Sequence, residues 1–341
     1  MPGLLANADR IDLDTDLENT GCNTMSNIFE LTTRPDRSLF LTQKDKNDPR
    51  MGEVVHTDEE RYSTADIVIL GYANDDGITR NESRQGAQDA PEAIRREFYR
   101  LTTFNIKKHV IDLGDLRSGN SLEESHEIMT SIVEQVLRDG KRIIILGGGG
   151  DISYANGRAM ADVYGTEWWI GVNVDSRLDV RIANERNNST QFRQLIEEKR
   201  LDPAYFYEVG FQSHFCSPIY YEYIRSLQVH RISLELLRSR AQADIELKEQ
   251  IRQKFIGHSS SLNTFFSFDM QAVRMADAPG TTAPSPLGLT ASEFIQLVKY
   301  AASLANTKIV EFNEVNPHFD VDNRTARLVA IGMHRFCSGV A

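Results

Sequence analysis

The sequence predicts an α/β domain of three layers, with a central, mainly parallel sheet of eight strands between two layers of helices. Two observations carry this. Eight short runs rich in β-branched and aromatic residues recur between Ala65 and Val315, and most are continuous rather than alternating, as in strands buried on both faces. Between them lie amphipathic segments with helix-start and helix-stop signals, so strand and helix alternate along the chain.

Residues 1–60 are rich in Asp, Asn, Thr and Arg and carry no long periodic run. They read as a polar N-terminal extension with one short helix near Ile28 to Leu31, ahead of an α/β domain over residues 61–341. The first strand is DIVILGY (66–72) and the second HVIDLGDL (109–116). The segment SLEESHEIMTSIVEQVLRDG (121–140) opens with Ser121 and Glu124 at capping-box spacing, aligns Ile128, Ile132, Val136 and Leu137, and stops at Gly140. Strands follow at RIIILGG (142–148), WWIGVNVD (168–175), AYFYEVGF (204–211), VHRISLELL (229–237) and TFFSFDM (264–270). A second capped helix, TASEFIQLVKYAASLA (290–305), uses Thr290 and Glu293 before the last strand, KIVEFNEV (308–315). Such alternation implies right-handed crossovers and ligands bound beyond the carboxyl ends of the strands.

Composition sets the outer limits. At 341 residues the chain is long enough for one large core. A net charge of −11 argues against non-specific binding to nucleic acid or to anionic membrane, which need a basic surface. The apolar runs are far short of a membrane span. Cys22, Cys216 and Cys337 are scattered and form no C-x-x-C pair, so neither a thiolate metal site nor a dense disulfide framework is expected, and a reducing compartment is the simplest expectation. The N-terminus is acidic and lacks the apolar stretch of a signal peptide, so a cytoplasmic location is expected.

Four strand ends carry polar residues of interest. These are Gly147-Gly148-Gly149-Gly150-Asp151, Asp175-Ser176-Arg177-Leu178-Asp179, Asp269-Met270-Gln271 and Asn313-Glu314-Val315-Asn316-Pro317. Taken singly, an Asp after a strand is an ordinary helix cap. Taken together, several carboxylates on one rim repel unless a cation sits among them. The glycine run does not match G-x-G-x-x-G, and no lysine follows it at the Walker position, so close backbone packing explains it better than phosphate binding.

The order of these segments resembles the ureohydrolases, the family of arginase, agmatinase and formimidoylglutamase. DDGITRNESRQGAQDAPEAIRREF (75–98), IDLGDL (111–116), GGGGDISYANG (147–157), NNSTQFRQ (187–194), APGTTAPSPLGLT (278–290) and NEVNPHFD (313–320) are most similar to the formimidoylglutamase branch. The resemblance implies an arginase-like fold and a binuclear manganese centre built from Gly-Gly-x-His, Asp-x-His-x-Asp and Asp-x-Asp motifs. This chain departs from them. Gly150 stands where the family has a histidine ligand, Arg177 where it has the second, and Gln271 where it has an aspartate; Asp175, Asp179 and Asp269 remain. A guanidinium only donates and cannot ligate a metal. Arg177 is therefore expected to occupy the second ion's place and to tie down Asp175 and Asp269. With Arg177, the three remaining carboxylates sum to −2.

The cofactor expectation is none, or one weakly held hard cation (Mn, Mg or Ca) on three oxygen ligands, and not a manganese pair. By resemblance, Glu314 pairs with a substrate's cationic nitrogen, although an ordinary strand-end carboxylate is the alternative. Arg84 is expected to meet a substrate carboxylate or an acidic residue, and Thr190 and Arg193 belong to the recognition loop. His214 and His318 lie near strand ends, where a proton-shuttle role is open but surface or core histidines are the simpler reading. The function expected is a pseudoenzyme that has lost hydrolysis and keeps a ligand-binding or regulatory role. The alternative is an active C–N hydrolase of a linear amidine or guanidine such as formimidoylglutamate. A small amidine, guanidine or amino-acid-like ligand is the expected partner, and the resemblance implies a homo-oligomer.

Overall fold

The computed structural model describes residues 27–239 and 262–339. The eight expected strands all form: β2 (Ile67–Gly71), β3 (Val110–Leu116), β4 (Arg142–Leu146), β5 (Trp169–Val174), β6 (Phe206–Val209), β7 (His230–Ile232), β8 (Asn263–Asp269) and β9 (Thr307–Asn313). They are preceded by β1 (Thr32–Thr33), so the sheet has nine strands rather than eight, in the order β1-β3-β2-β4-β9-β8-β5-β6-β7. Every pairing is parallel except that of β1, which runs antiparallel along β3. Two polar residues have no pattern to read; they form a strand because the edge of β3 offers unpaired backbone groups. Residues 1–26 of the polar N-terminal segment lie outside the described residues.

Two local expectations are corrected. Residues 28–30 form a hydrogen-bonded turn instead of a helix, with the Asn27 side chain accepting from the Phe29 N–H. The apolar run at 229–237 is not one strand. After β7, Ser233 Oγ accepts from Leu236 N (3.1 Å) and starts helix α8 (Leu234–Ser239). A cap inside an apolar run diverts it from sheet to helix.

The strands read as continuous apolar runs because each face of the sheet meets its own layer. On β2, Ile67 and Ile69 face one core, with Ile94 and Phe98, Phe294 and Leu297, and Val329 and Met333 of three helices (Ala90–Phe98, Ala291–Ser303 and Arg324–Ser338). Val68 and Leu70 face the other core, with Met129 and Val133, and Ala155 and Ala159 of two helices (Leu122–Arg138 and Ile152–Tyr164). Thr290 and Glu293 form the expected reciprocal box, whereas only half of the first box forms: Ser121 Oγ accepts from Glu124 N, but the Glu124 carboxylate accepts from Asn120 N. Among the described residues no helix is long and apolar enough to cross a membrane.

Beneath the strand ends, β9 buries Glu311 completely. Its carboxylate accepts from Ser153 Oγ (2.6 Å), Asn156 Nδ2 (2.6 Å), Ser267 Oγ (3.0 Å) and Asn313 Nδ2 (2.5 Å). These bonds fasten the helix that follows the glycine turn to β8 and β9. Burial raises the Glu311 pKa to about 6 against the restraint of those donors. A carboxyl with a raised folded-state pKa contributes most below its unfolded value and loses that contribution as pH rises through the folded one. From pH 4.5 to 7 the loss is about 2 kcal/mol. Glu311→Gln removes this pH dependence. Its stability deficit against wild type in urea denaturation is therefore expected to shrink by about 2 kcal/mol over that range.

Candidate metal centre

Five adjacent strands, β4, β9, β8, β5 and β6, deliver the site. Asp175 follows β5 directly, Asp179 ends the turn after it, and Asp269 closes β8. One oxygen from each of the three lies within 4.8 Å of the others, and all three residues are buried. Asp179 sits in the left-handed region (φ 47°), which turns the chain back so that its carboxylate meets that of Asp175.

Each carboxylate is held from the protein side. Asp175 Oδ1 accepts from Ser176 N (2.5 Å), Asp269 Oδ1 from Gln271 N (2.6 Å), and Asp179 Oδ2 from Gln191 Nε2 (2.6 Å). Burial pushes all three carboxyls above the ordinary range, and repulsion among them adds to the shift at Asp179 and Asp269. The Arg177 guanidinium works the other way on Asp175 and Asp179.

The Arg177 guanidinium is not bonded to these carboxylates as expected; only the backbone N–H of Arg177 reaches Asp175. Its Nη1 donates to Gln271 Oε1 (2.5 Å) and Ser176 Oγ (3.1 Å), and its guanidinium lies 4.7 Å from the centre of the Phe215 ring. The physical reason is a nearer acceptor: the amide at 271 turns its oxygen toward the arginine and its Nε2 toward Glu314 Oε2 (3.0 Å).

Glu314, also buried and in the left-handed region (φ 60°), has both oxygens engaged by the protein. Oε1 accepts from Gly150 N (2.7 Å) and Asn188 Nδ2 (2.9 Å); Oε2 accepts from Gln271 Nε2 and Thr282 Oγ1. Burial raises its pKa to about 7, with the Asn188 and Gly150 donors opposing. A side chain grown from Gly150 would start 3.3 Å from Gln191 Nε2 and 3.5 Å from Glu314 Oε1, so the end of Gln191 would have to shift slightly to admit it.

The other expected site residues lie apart from this cluster. Arg84 is exposed and stacks on Phe319 at 4.4 Å. Thr190 spends its hydroxyl inside its own turn, accepting from Asn187 N and donating to Asn187 O. Arg193 pairs with Glu197 (2.8 Å) and stacks on Tyr223 at 4.0 Å. His318 pairs with Asp89 at the surface, and His214 packs on Phe215.

Four side chains of the site went unpredicted in these roles: Asn188, Gln191, Thr282 and Glu208. Glu208 was signalled by a lone carboxylate inside the apolar run AYFYEVGF, and it proves wholly buried on β6. With Glu208 and Glu314 added to the three aspartates, five buried carboxyls gather near one guanidinium, and burial raises the pKa of each.

Known proteins share this architecture. The arginase family model matches residues 65–337. A formimidoylglutamase of Staphylococcus aureus is 29% identical over 82% of this chain and 88% of its own. Among solved structures, Trypanosoma cruzi formiminoglutamase with Mn2+2 superposes with a TM-score of 0.78 at 32% identity, over 86% of this chain and 98% of that one. Formimidoylglutamase from Bacillus subtilis has the same fold, with a TM-score of 0.79 at 24% identity over 89% and 97%.

Because Arg177 opposes any cation entering between Asp175 and Asp179, Arg177→Met is expected to tighten Mn2+ binding about tenfold in isothermal titration. It should also lower the melting temperature of the metal-free protein, whose carboxylates lose a compensating charge. Unchanged or weaker binding would mean that the guanidinium does not compete with the ion.

Proposed function

The chain belongs to the arginase family, and from that premise we propose that it is a one-cation member that has given up two-metal hydrolysis and binds a small amidine, guanidine or amino-acid-like molecule. The observation that carries this reading is the hydrogen-bonded run Arg177–Gln271–Glu314. Gln271 uses its carbonyl on Arg177 and its amide N–H on Glu314, so neither end is left to serve a metal. Glu314, with both oxygens engaged by protein donors, has no free oxygen for a substrate's cationic nitrogen. Gly150 offers only its backbone N–H, which is already given to Glu314.

The residues present fit one hard divalent ion and not the pair found in family members. Asp175, Asp179 and Asp269 bring three oxygens together, and the surplus of buried negative charge favours a cation over an empty pocket. With neither imidazole nor thiolate among the ligands, Mg2+, Ca2+ or Mn2+ suits the set better than Zn2+. Bound there, an ion supplies Lewis-acid polarisation of an oxygen. The protein's own part is to hold three carboxylates in place through Ser176, Gln191 and the Gln271 backbone. Above Asp179, an opening of about 100 Å³ lined by Arg177, Arg181, Ser189, Phe215 and Tyr220 presents cationic and aromatic groups to a carboxylate-bearing ligand. That volume is well below the roughly 300 Å³ at which pockets for drug-sized ligands begin.

A second reading, a slow C–N hydrolase working with one ion, is favoured by the same charge surplus, since a firmly held cation can activate water. Metal analysis after Mn2+ loading separates both readings from a two-metal enzyme. One ion per chain is expected, with turnover of formimidoylglutamate, arginine and agmatine several orders of magnitude below that of a two-metal enzyme. Two ions per chain with fast turnover would overturn the proposal. The combined variant Gly150→His, Arg177→His and Gln271→Asp is expected to gain a second ion only when Gln191 is also shortened, for example to Ser, because Gln191 Nε2 borders the space at position 150.

A further inference from the structure

Resting on the one-cation reading, we propose that Glu208 is a fourth carboxylate of the cation site, a positioning charge that draws the ion and holds it on the β5–β6 side. In parallel register, Glu208 on β6 pairs with Asn173 on β5, and its Oε2 accepts from Asn173 Nδ2 (3.1 Å). Asn173 and Asp175 lie two residues apart and so face the same side of the sheet, which places Glu208 beneath Asp175. Glu208 is completely buried, and its second oxygen, Oε1, has no hydrogen-bond partner. Repulsion from Asp179 and Asp175 reaches it, which sets it against the acidic cluster.

A structural ion pair would explain such a carboxylate without any ligand, and the neighbouring strand tests that explanation. Arg231 on β7 is the register partner of Glu208. Its guanidinium instead lies toward Tyr221, 5.5 Å from the ring centre, and its Nε and Nη1 are themselves buried without an acceptor. Two opposite charges on adjacent strands thus stay apart, and Glu208 keeps an unmet oxygen. A buried carboxyl in that state is costly to ionise unless a cation stands near it, and without one burial drives it to hold its proton. Glu208 lies outside the group of three oxygens that converge within 4.8 Å, so its action on the ion is that of a neighbouring charge. Groups of this kind typically change metal affinity 10–100-fold when removed.

The test is Mn2+ titration of the full chain by calorimetry, with Mn2+ electron paramagnetic resonance counting bound ions, on wild type, Glu208→Gln and, should the first fold poorly, Glu208→Leu. Expected is saturable binding of one ion by wild type and dissociation about tenfold weaker or more in the variant. The melting temperature of the metal-free variant should be unchanged or raised, because a purely structural Glu208 would lower it. Binding within twofold of wild type would overturn the role of Glu208 and leave the one-cation reading intact. Weaker binding together with a lowered metal-free melting temperature would mark damage to the fold and also overturn it. Wild type that binds no Mn2+ would sink both proposals together.

Discussion

Buried negative charge is the constraint around which this molecule is organised. Asp175, Asp179, Asp269, Glu208 and Glu314 stand out of water at the ends of neighbouring strands, where each raises the cost of ionising the next. Desolvated carboxylates persist only when donors or cations meet them. The site can therefore be understood by asking what meets each oxygen.

For Glu314 the answer is protein. A glycine N–H, two amides and a hydroxyl surround it. The substitutions relative to the family motifs are consequently coupled. An aspartate at 271 would face Glu314 as a like charge, whereas glutamine turns that contact into a hydrogen bond and frees its carbonyl for Arg177. For the three aspartates and Glu208 the protein's donors are fewer, and that difference is what the one-cation proposal starts from.

The frame beneath explains how such a pocket survives. The inner strands are covered on both faces by helices, so the acidic ends project from a rigid double core. Glu311, tied to four donors below, fixes the helix behind the glycine turn and with it the N–H that Glu314 requires. Packing of this density holds like charges together that would separate on a mobile loop.

Strand and helix order and the helix starts at Ser121 and Thr290 were determined by the sequence itself, because apolar period and capping chemistry are local properties of the chain. The two-residue strand β1 and the break of the 229–237 run into β7 and α8 were not, since an open sheet edge and a cap outweighed propensity. Nor could the sequence say that Arg177 would choose Gln271, that Glu314 would be enclosed by donors, or that Glu208 would lie beneath Asp175. Those outcomes belong to the tertiary structure alone. Hydrogen bonds and Coulomb forces act through space, here between Gly150 and Glu314, 164 positions apart, and no reading of neighbours along the chain contains that distance.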